Sequence, residues 1–486
     1  ETGLKKVIFM DEAASPKPAE FRQVMVGLGL AMLLSALDQT IVVTAMPTIG
    51  QELGDPQNLP LIVTSYLVAA TTVTPLYGKF ADVYGRRHIL AAGLIIFILG
   101  SVACAMASTM GLLAAARFLQ GMGGGGLISL AQTVIADLVT PRERGRYQTY
   151  FAAVFATSSI AGPVLGGFFA QYLHWSLIFW INVPLGLAAL FVINRRLKLL
   201  PQPRHPHRID YFGASLLVIA SGALVLALGR LGGRFSWISA PVLGLFGLSA
   251  LFWAIFVWRT WTFEEPLIPT RLFKLNIMRD AVISSALGLG AFVGLSVVMP
   301  IYFEGVIGLN PRDCGLALIP LMIATVIGAA SAGRIMAHHA HYKIMPVIGL
   351  LFAALAALFL AWRLESLSFL GLNILLVIST FGVGAMLPIA TVSVQNAVDV
   401  RDLGTATAAM QFFRQLGAAA LVALFGALAL GGGRADLLAS AADKAAVISA
   451  IIGAYRGVFL AIGICLAFSC FFLAKMEERP LRGGPR

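Results

Sequence analysis

The charged residues that interrupt the apolar parts of this sequence are the ones best able to do chemistry. Asp38 stands in a long apolar run, with no other charged residue between Arg22 and Glu52. Arg117 and Arg414 also fall inside apolar runs. Burial disfavours the charged form of a carboxylate, whereas a nearby cation favours it, and this competition lets a carboxylate bind and release a proton. Asp38 and Arg117 are therefore a candidate proton-coupling pair; a fixed ion pair that never titrates is the alternative.

The composition predicts the elements that carry these residues. Of the 486 residues, 58% are hydrophobic and only 12% are charged, far from the balance of soluble domains. Continuous apolar runs of about 20 residues recur along the chain, each long enough to cross a roughly 30 Å hydrocarbon layer as a helix. Such runs disfavour a membrane barrel, whose strands alternate. We therefore predict an all-α integral membrane protein.

Fourteen transmembrane helices are predicted, grouped as six, two and six. An N-terminal bundle covers residues 24–196, and a C-terminal bundle covers residues 281–475. Between them, the segment 197–280 is a linker that carries an extra transmembrane hairpin. The predicted spans are 24–46, 61–80, 88–107, 112–136, 147–171 and 176–196, then 210–230 and 237–258, then 281–303, 313–335, 344–362, 370–393, 406–430 and 455–475.

The loops and tails carry the topology signal. Residues 1–23 and 476–486 are predicted to be cytoplasmic tails, and Met10 is a candidate start, so residues 1–9 are expected to be an added extension. With both termini in the cytoplasm, most of the 35 Lys and Arg lie on the cytoplasmic side, as the positive-inside rule requires. The net charge of +12 is therefore assigned to loops and not to a nucleic-acid-binding face. We predict a multi-pass protein of the cytoplasmic (inner) membrane.

The most specific motif lies between the second and third helices. It reads Gly78-Lys-Phe-Ala-Asp82-Val-Tyr-Gly85-Arg86-Arg87. Gly78 permits close helix contact, Asp82 places a negative charge beside helix ends, and Gly85 allows a sharp turn. The two arginines hold the loop at the cytoplasmic face.

This loop resembles the signature segment of the major facilitator superfamily. In that family the acid engages the start of a helix in the second bundle and helps to close the cytoplasmic side. By position, that start lies near residues 404–406 here. The resemblance implies a cytoplasmic gate, and an ordinary basic loop is the alternative.

Two further stretches resemble motifs of the same superfamily. The segment that begins with Arg117 is similar to a motif whose arginine is associated with proton transfer; snorkelling to the membrane surface is the alternative for this side chain. In the fifth helix, small residues at four-residue spacing and a proline that is expected to bend the helix resemble the antiporter motif, although a generic packing stripe is possible. These residues are Ser158, which replaces the family's glycine, Gly162, Pro163, Gly166 and Gly167.

Residues 37–47 and 174–186 resemble stretches of fourteen-span drug:proton antiporters, with Val43 in place of that family's asparagine. The resemblance implies two bundles that rock about a central site, and a proton-coupled antiporter that exports drugs, toxic metabolites or lipid-like molecules. The implied partners are a small amphiphilic substrate, protons and the lipid bilayer. A Gram-negative source would add a periplasmic adaptor.

Four polar residues are candidates for the substrate cavity: Asp38, Glu304, Gln411 and Arg414. With only two acids among them, we favour monocationic, neutral or weakly acidic amphiphiles over dications. Glu304 lies near the external end of its helix, so an interfacial position is the alternative for it. For Gln411 and Arg414 the alternative is bonding between helices.

Other functional classes fit the sequence less well. Proton-coupled uptake and a non-transporting scaffold or sensor remain as rival functions. An enzyme is not predicted, because we find no nucleophile–base pair and no metal-ligand spacing. No phosphate-binding loop, cofactor, metal or nucleic-acid partner is predicted.

Overall fold

The computed structural model describes residues 18–55, 58–196, 210–231, 239–339, 341–430 and 444–481. Over these residues the chain is almost entirely helical, because each backbone donor and acceptor in lipid must be bonded within the protein. Much of the predicted N-terminal tail, the linker at 197–209 and the last residues of the predicted C-terminal tail lie outside the described residues.

Several helices of the first half, α1, α2 and α5 among them, are longer than the predicted spans. α1 begins at Pro18, inside the segment predicted as a tail. The helices of the first half are α1 Pro18–Glu52, α2 Leu59–Tyr84, α3 Arg86–Ala105, α4 with segments Met110–Gly124 and Leu127–Leu138, α5 Pro141–Tyr172, and α6 with segments Leu177–Trp180 and Asn182–Arg196.

The inserted hairpin and the second half follow the predicted order. α14 begins at Lys444, ahead of the predicted span 455–475. These helices are α7 Tyr211–Leu231, α8 Ala240–Thr262, α9 Asn276–Tyr302, α10 Pro311–His338, α11 Ile344–Arg363, α12 Phe369–Ala397, α13 Leu403–Leu430 and α14 Lys444–Lys475.

Thirteen helices of the described chain are individually long and apolar enough to cross a membrane. The missing one is α4, which the sequence predicts as one span but which is interrupted at Gly125 and Gly126. There α2 lies so close that a side chain at either glycine would collide with it. Thr74 of α2 donates to the carbonyl of Gly125 at 2.8 Å, which satisfies an acceptor at the interruption. Counting α4 as one interrupted helix gives the predicted fourteen.

The two six-helix bundles, α1–α6 and α9–α14, meet along two seams. α5 packs against α10 on one side, and α2 packs against α13 on the other. The inserted helix α7 contacts both α2 and α13, so it covers the second seam. A large cavity lies between the bundles, and residues of α7 contribute to its wall.

Candidate transport site

A buried carboxylate cluster lies within the first bundle. Asp38 of α1 is 0% exposed, and its Oδ2 accepts a hydrogen bond from Arg117 Nη1 at 2.5 Å. Its other oxygen, Oδ1, accepts from Gln120 Nε2 at 2.7 Å and from Asn182 Nδ2 at 3.1 Å. The carboxylate is therefore fully bonded in its charged form, by groups from α4 and α6.

Arg117 does not snorkel to the surface. It is 1% exposed, donates through Nε to the Ile62 carbonyl at 3.2 Å, and lies 4.3 Å from the ring centroid of Tyr66. An arginine at the centre of a membrane helix costs about 2.5–3.5 kcal/mol on insertion scales, so it needs partners of this kind. Asp38 and the aromatic ring supply a counter-charge and a cation–π contact.

Gln120 and Asn182 were not assigned a role from the sequence. Both lie within the motif stretches described above, but an amide in an apolar run gives no signal of what it contacts. Gln120 also donates to Ser101 of α3 at 2.8 Å, which extends the cluster to a fourth helix. The Oδ1 atom of Asn182 is buried without a hydrogen-bond partner, so an acceptor is available beside Asp38.

The central cavity has a volume of about 740 Å³ and is lined by both bundles. Asp38 is not among its lining residues, so its assignment to the cavity wall is wrong for this conformation. The reason is the rotation of α1, which turns Ser35 and Gln39 to the cavity and Asp38 into the bundle. The carboxylate thus lies beside the cavity-lining face of α1 but points toward α4 and α6 of its own bundle.

Gln411 and Arg414 of α13 line the cavity. Arg414 Nη2 donates to the side-chain oxygen of Gln411 one turn earlier. The bond joins two residues of one helix, so it is not the bonding between helices that was the alternative.

Glu304 lies elsewhere. It falls in the turn Phe303–Ile307 that follows α9, where its side chain is exposed, and it does not line the cavity. Its assignment as a cavity residue is therefore wrong for this structure. The interfacial alternative is the one that the geometry favours.

The motif at the end of α2 joins the two bundles at one end of the cavity. Asp82 accepts hydrogen bonds from the backbone nitrogens of Gly404 at 3.2 Å and Thr405 at 2.7 Å, and from Thr405 Oγ1 at 2.6 Å. These donors lie at the start of α13, where the helix dipole favours a negative charge. This is the position that the superfamily resemblance implied.

The other residues of this motif shape the same contact. Gly78 faces α13 so closely that a methyl group there would lie 2.7 Å from the Gly404 carbonyl oxygen. Gly85 has φ of 92°, a conformation that side chains disfavour, and forms the turn into α3. Arg86 pairs with Asp82 and with Asp137, the latter at 3.0 Å.

Arg87 and Arg142 differ in their hydrogen bonds. The Nε atom of Arg87 is buried without a hydrogen-bond partner, so this residue is not part of the Asp82 network. Arg142, near the start of α5, donates to the Ala337 carbonyl of α10 at 2.6 Å. The Asp82 end of the cavity is therefore closed by contacts across both seams.

The small-residue stripe of α5 packs against α1 beside Asp38. Thr40 Oγ1 donates to the Ser158 carbonyl at 2.9 Å, and Gly162 and Gly166 contact the Thr40 to Thr44 turn of α1. Gly167 does not belong to this contact, since a methyl group there would meet nothing within 4 Å. Pro163 lies inside the continuous helix, on its exposed side.

We expect Gly162→Val to reduce folded protein and transport strongly, because its Cβ would lie 2.7 Å from Thr40 Cβ and would push α1 away. Gly167→Val adds the same side chain to the same helix in open space, so it should retain both. Membrane yield, monodispersity and transport of the two variants check this. Equal behaviour of the two variants would contradict the assigned contact.

Comparisons with known proteins agree with this architecture. The model of the Major Facilitator Superfamily matches residues 28–422. Multidrug resistance protein 3 of Bacillus subtilis is 35% identical over 85% of this chain and 81% of its own length. An uncharacterised MFS-type transporter of Mycobacterium tuberculosis is also 35% identical over 85% of this chain, which spans 60% of that relative.

The solved structure of a proton:xylose symporter superimposes with a TM-score of 0.64 over 95% of this chain and 98% of its own, at 15% identity. That similarity concerns the fold alone. The family match covers most of the chain, including Asp38, Arg117 and the segments 78–87 and 158–167. The chain is a multi-pass membrane protein and belongs to the major facilitator superfamily.

Proposed function

We propose that this protein is a proton-coupled antiporter that exports small amphiphilic compounds across the cytoplasmic membrane by alternating access. The observation that carries the proposal is the placement of Asp38 on the same helix that lines the cavity through Ser35 and Gln39. A change in its protonation acts on α1, and α1 is part of the cavity wall. Export is the direction favoured by the similarity to a multidrug resistance protein.

The Asp82 end is assigned to the cytoplasm, following the distribution of basic residues and the gate resemblance. The cavity then faces outward here, since lining residues such as Thr64 and Ala429 lie near the opposite ends of their helices. Both termini are cytoplasmic in this assignment. In this proposal, the ion pair between Asp38 and Arg117 corresponds to the state in which no proton is bound to Asp38.

Protonation from outside removes the negative charge of Asp38. Arg117 then loses its counter-charge, and the new O–H donor needs an acceptor, which the unpartnered Oδ1 of Asn182 provides. This rearrangement favours opening of the Asp82 end, whereas substrate binding from the cytoplasm favours proton release. Each step requires that proton and substrate bind the two states with different affinity.

The energy is sufficient for export. One proton that crosses 100 mV supplies about 2.3 kcal/mol. Because a tenfold concentration ratio costs about 1.4 kcal/mol, one proton per substrate sustains roughly a fiftyfold gradient.

Everted membrane vesicles test the function with a panel of amphiphilic compounds. We expect vesicles that contain the protein to accumulate a subset of the panel and to release lumenal protons as they do so, with both signals lost on adding a protonophore. Vesicles without the protein are the control. Accumulation that persists without a proton gradient, or proton uptake together with substrate uptake, would contradict the proposal.

A further inference from the structure

The charge distribution of the cavity wall bears on which amphiphiles are bound. Most of its lining is apolar, and its polar side chains are hydroxyls and amides such as Gln39, Gln132 and Gln148. No Asp or Glu lines it in the described chain, and Arg414 is its one charged lining residue there. A cationic substrate would therefore meet no counter-charge and one like charge.

Arg414 lacks the partners that satisfy Arg117. It is 7% exposed, yet within the described residues no carboxylate forms an ion pair with it. Its hydrogen bond goes to the neutral Gln411, and its Nε atom is buried without a partner. A buried guanidinium in a membrane protein needs a counter-charge or the water of a cavity. Because Arg414 lines the cavity, a counter-charge can reach it from there.

We propose that Arg414 binds the anionic headgroup of the substrate, so that the transported compounds are amphiphiles that carry a carboxylate. The guanidinium offers a planar fork that matches a carboxylate, and Nε is one of its free donors. The apolar body of the substrate packs against the wall on both bundles, including Phe151 and Phe292. This inference rests on the proposed export function and names its substrate class.

A negatively charged substrate also changes how much charge each exchange with a proton moves across the membrane. Exchange of one proton for one carboxylate moves two charges in the direction that the membrane potential favours, whereas exchange for a neutral compound moves one. Anionic substrates should therefore be concentrated more steeply than neutral ones at equal potential. The negative charge of the headgroup that Arg414 binds then adds to the electrical driving force for export.

Three compounds with one aromatic body test the headgroup preference: 1-naphthylacetate, 1-naphthylacetamide and 1-naphthylethylamine. Equilibrium binding of each is measured on purified protein and on Arg414→Gln, Arg414→Lys and Arg334→Gln. Arg334 of α10 is exposed and does not line the cavity, so the same substitution there is the matched control. The readout is the ratio of affinities for the carboxylate and the amide, which does not depend on the active fraction.

We expect the unaltered protein to bind the carboxylate at least about tenfold more tightly than the amide, as a charge-assisted hydrogen bond provides, and the amine most weakly. Arg414→Gln should abolish that preference, Arg414→Lys should keep part of it, and Arg334→Gln should leave it unchanged. A preference that survives in Arg414→Gln, or that falls equally in Arg334→Gln, would overturn the proposal.

The two proposals fail in different ways. If naphthylacetate binds with the expected preference but its transport moves no protons, the export mechanism is wrong and the headgroup assignment stands. If proton-coupled transport occurs without preference for the carboxylate, the function stands and the role of Arg414 is wrong.

Discussion

Asp38→Asn is expected to abolish proton-driven accumulation of substrate. The amide is close in shape to the carboxylate but neither binds nor releases a proton, so the cycle loses its coupling step. In everted vesicles the variant should neither concentrate substrate nor release protons when substrate is added. We expect at least a hundredfold loss of coupled transport, because no other acid lies in the buried cluster of Asp38, Arg117, Gln120 and Asn182.

Folding must be separated from coupling in this experiment. Removing one partner of a buried ion pair typically costs about 3–5 kcal/mol, and Asp38→Asn leaves Arg117 without its counter-charge. Asp38→Glu restores an ionisable group and should recover part of the transport. Glu264→Gln makes the same acid-to-amide change at an exposed position after α8 and should behave as the unaltered protein. Normal coupled transport by Asp38→Asn would refute the role of Asp38.

Gly78→Val is expected to hold the Asp82 end open and to stop transport. Its side chain would collide with Ala408 and with the Gly404 carbonyl, both on α13, and the backbone cannot yield as a flexible side chain would. The contacts of Asp82 with α13 would then be lost together. Spin labels at Tyr84 and Arg401, both exposed at this end, report the separation of the bundles in a cysteine-free background.

We expect the label distances in Gly78→Val to shift to longer values than in the unaltered protein. Gly29→Val is the matched control, because a methyl group at Gly29 would meet nothing within 4 Å. An unchanged distance distribution together with full transport would show that this contact is not a gate.

Much of the fold follows from the sequence, because apolar runs of membrane length admit few structures other than helices. The helix count and the six-two-six grouping depend only on such runs. The interruption of α4 was not predicted, since it depends on Thr74 and Tyr77 of α2, far away in sequence. Several helix ends, including the start of α1, were placed too far inward because segments such as Pro18 to Arg22 continue the helix beyond the apolar core.

The site was only partly predictable. The pairing of Asp38 with Arg117 follows from the cost of burying either charge alone. The direction in which Asp38 points depends on the rotation of α1 against α5, which is set by the fit of Thr40 to Gly162 and not by local sequence. The same limit applies to Asn182, which reaches Asp38 only after α6 has packed against α1.

The central claim, antiport through Asp38, is tested most directly by the sign of proton movement in proteoliposomes. A pH-sensitive dye is trapped inside, the membrane potential is clamped at zero, and an inward substrate gradient is imposed without a pH gradient. We predict that the interior becomes alkaline with the unaltered protein, and that it stays unchanged with Asp38→Asn and in protein-free liposomes. Acidification as substrate enters, or alkalinisation that is equal in Asp38→Asn, would contradict the account.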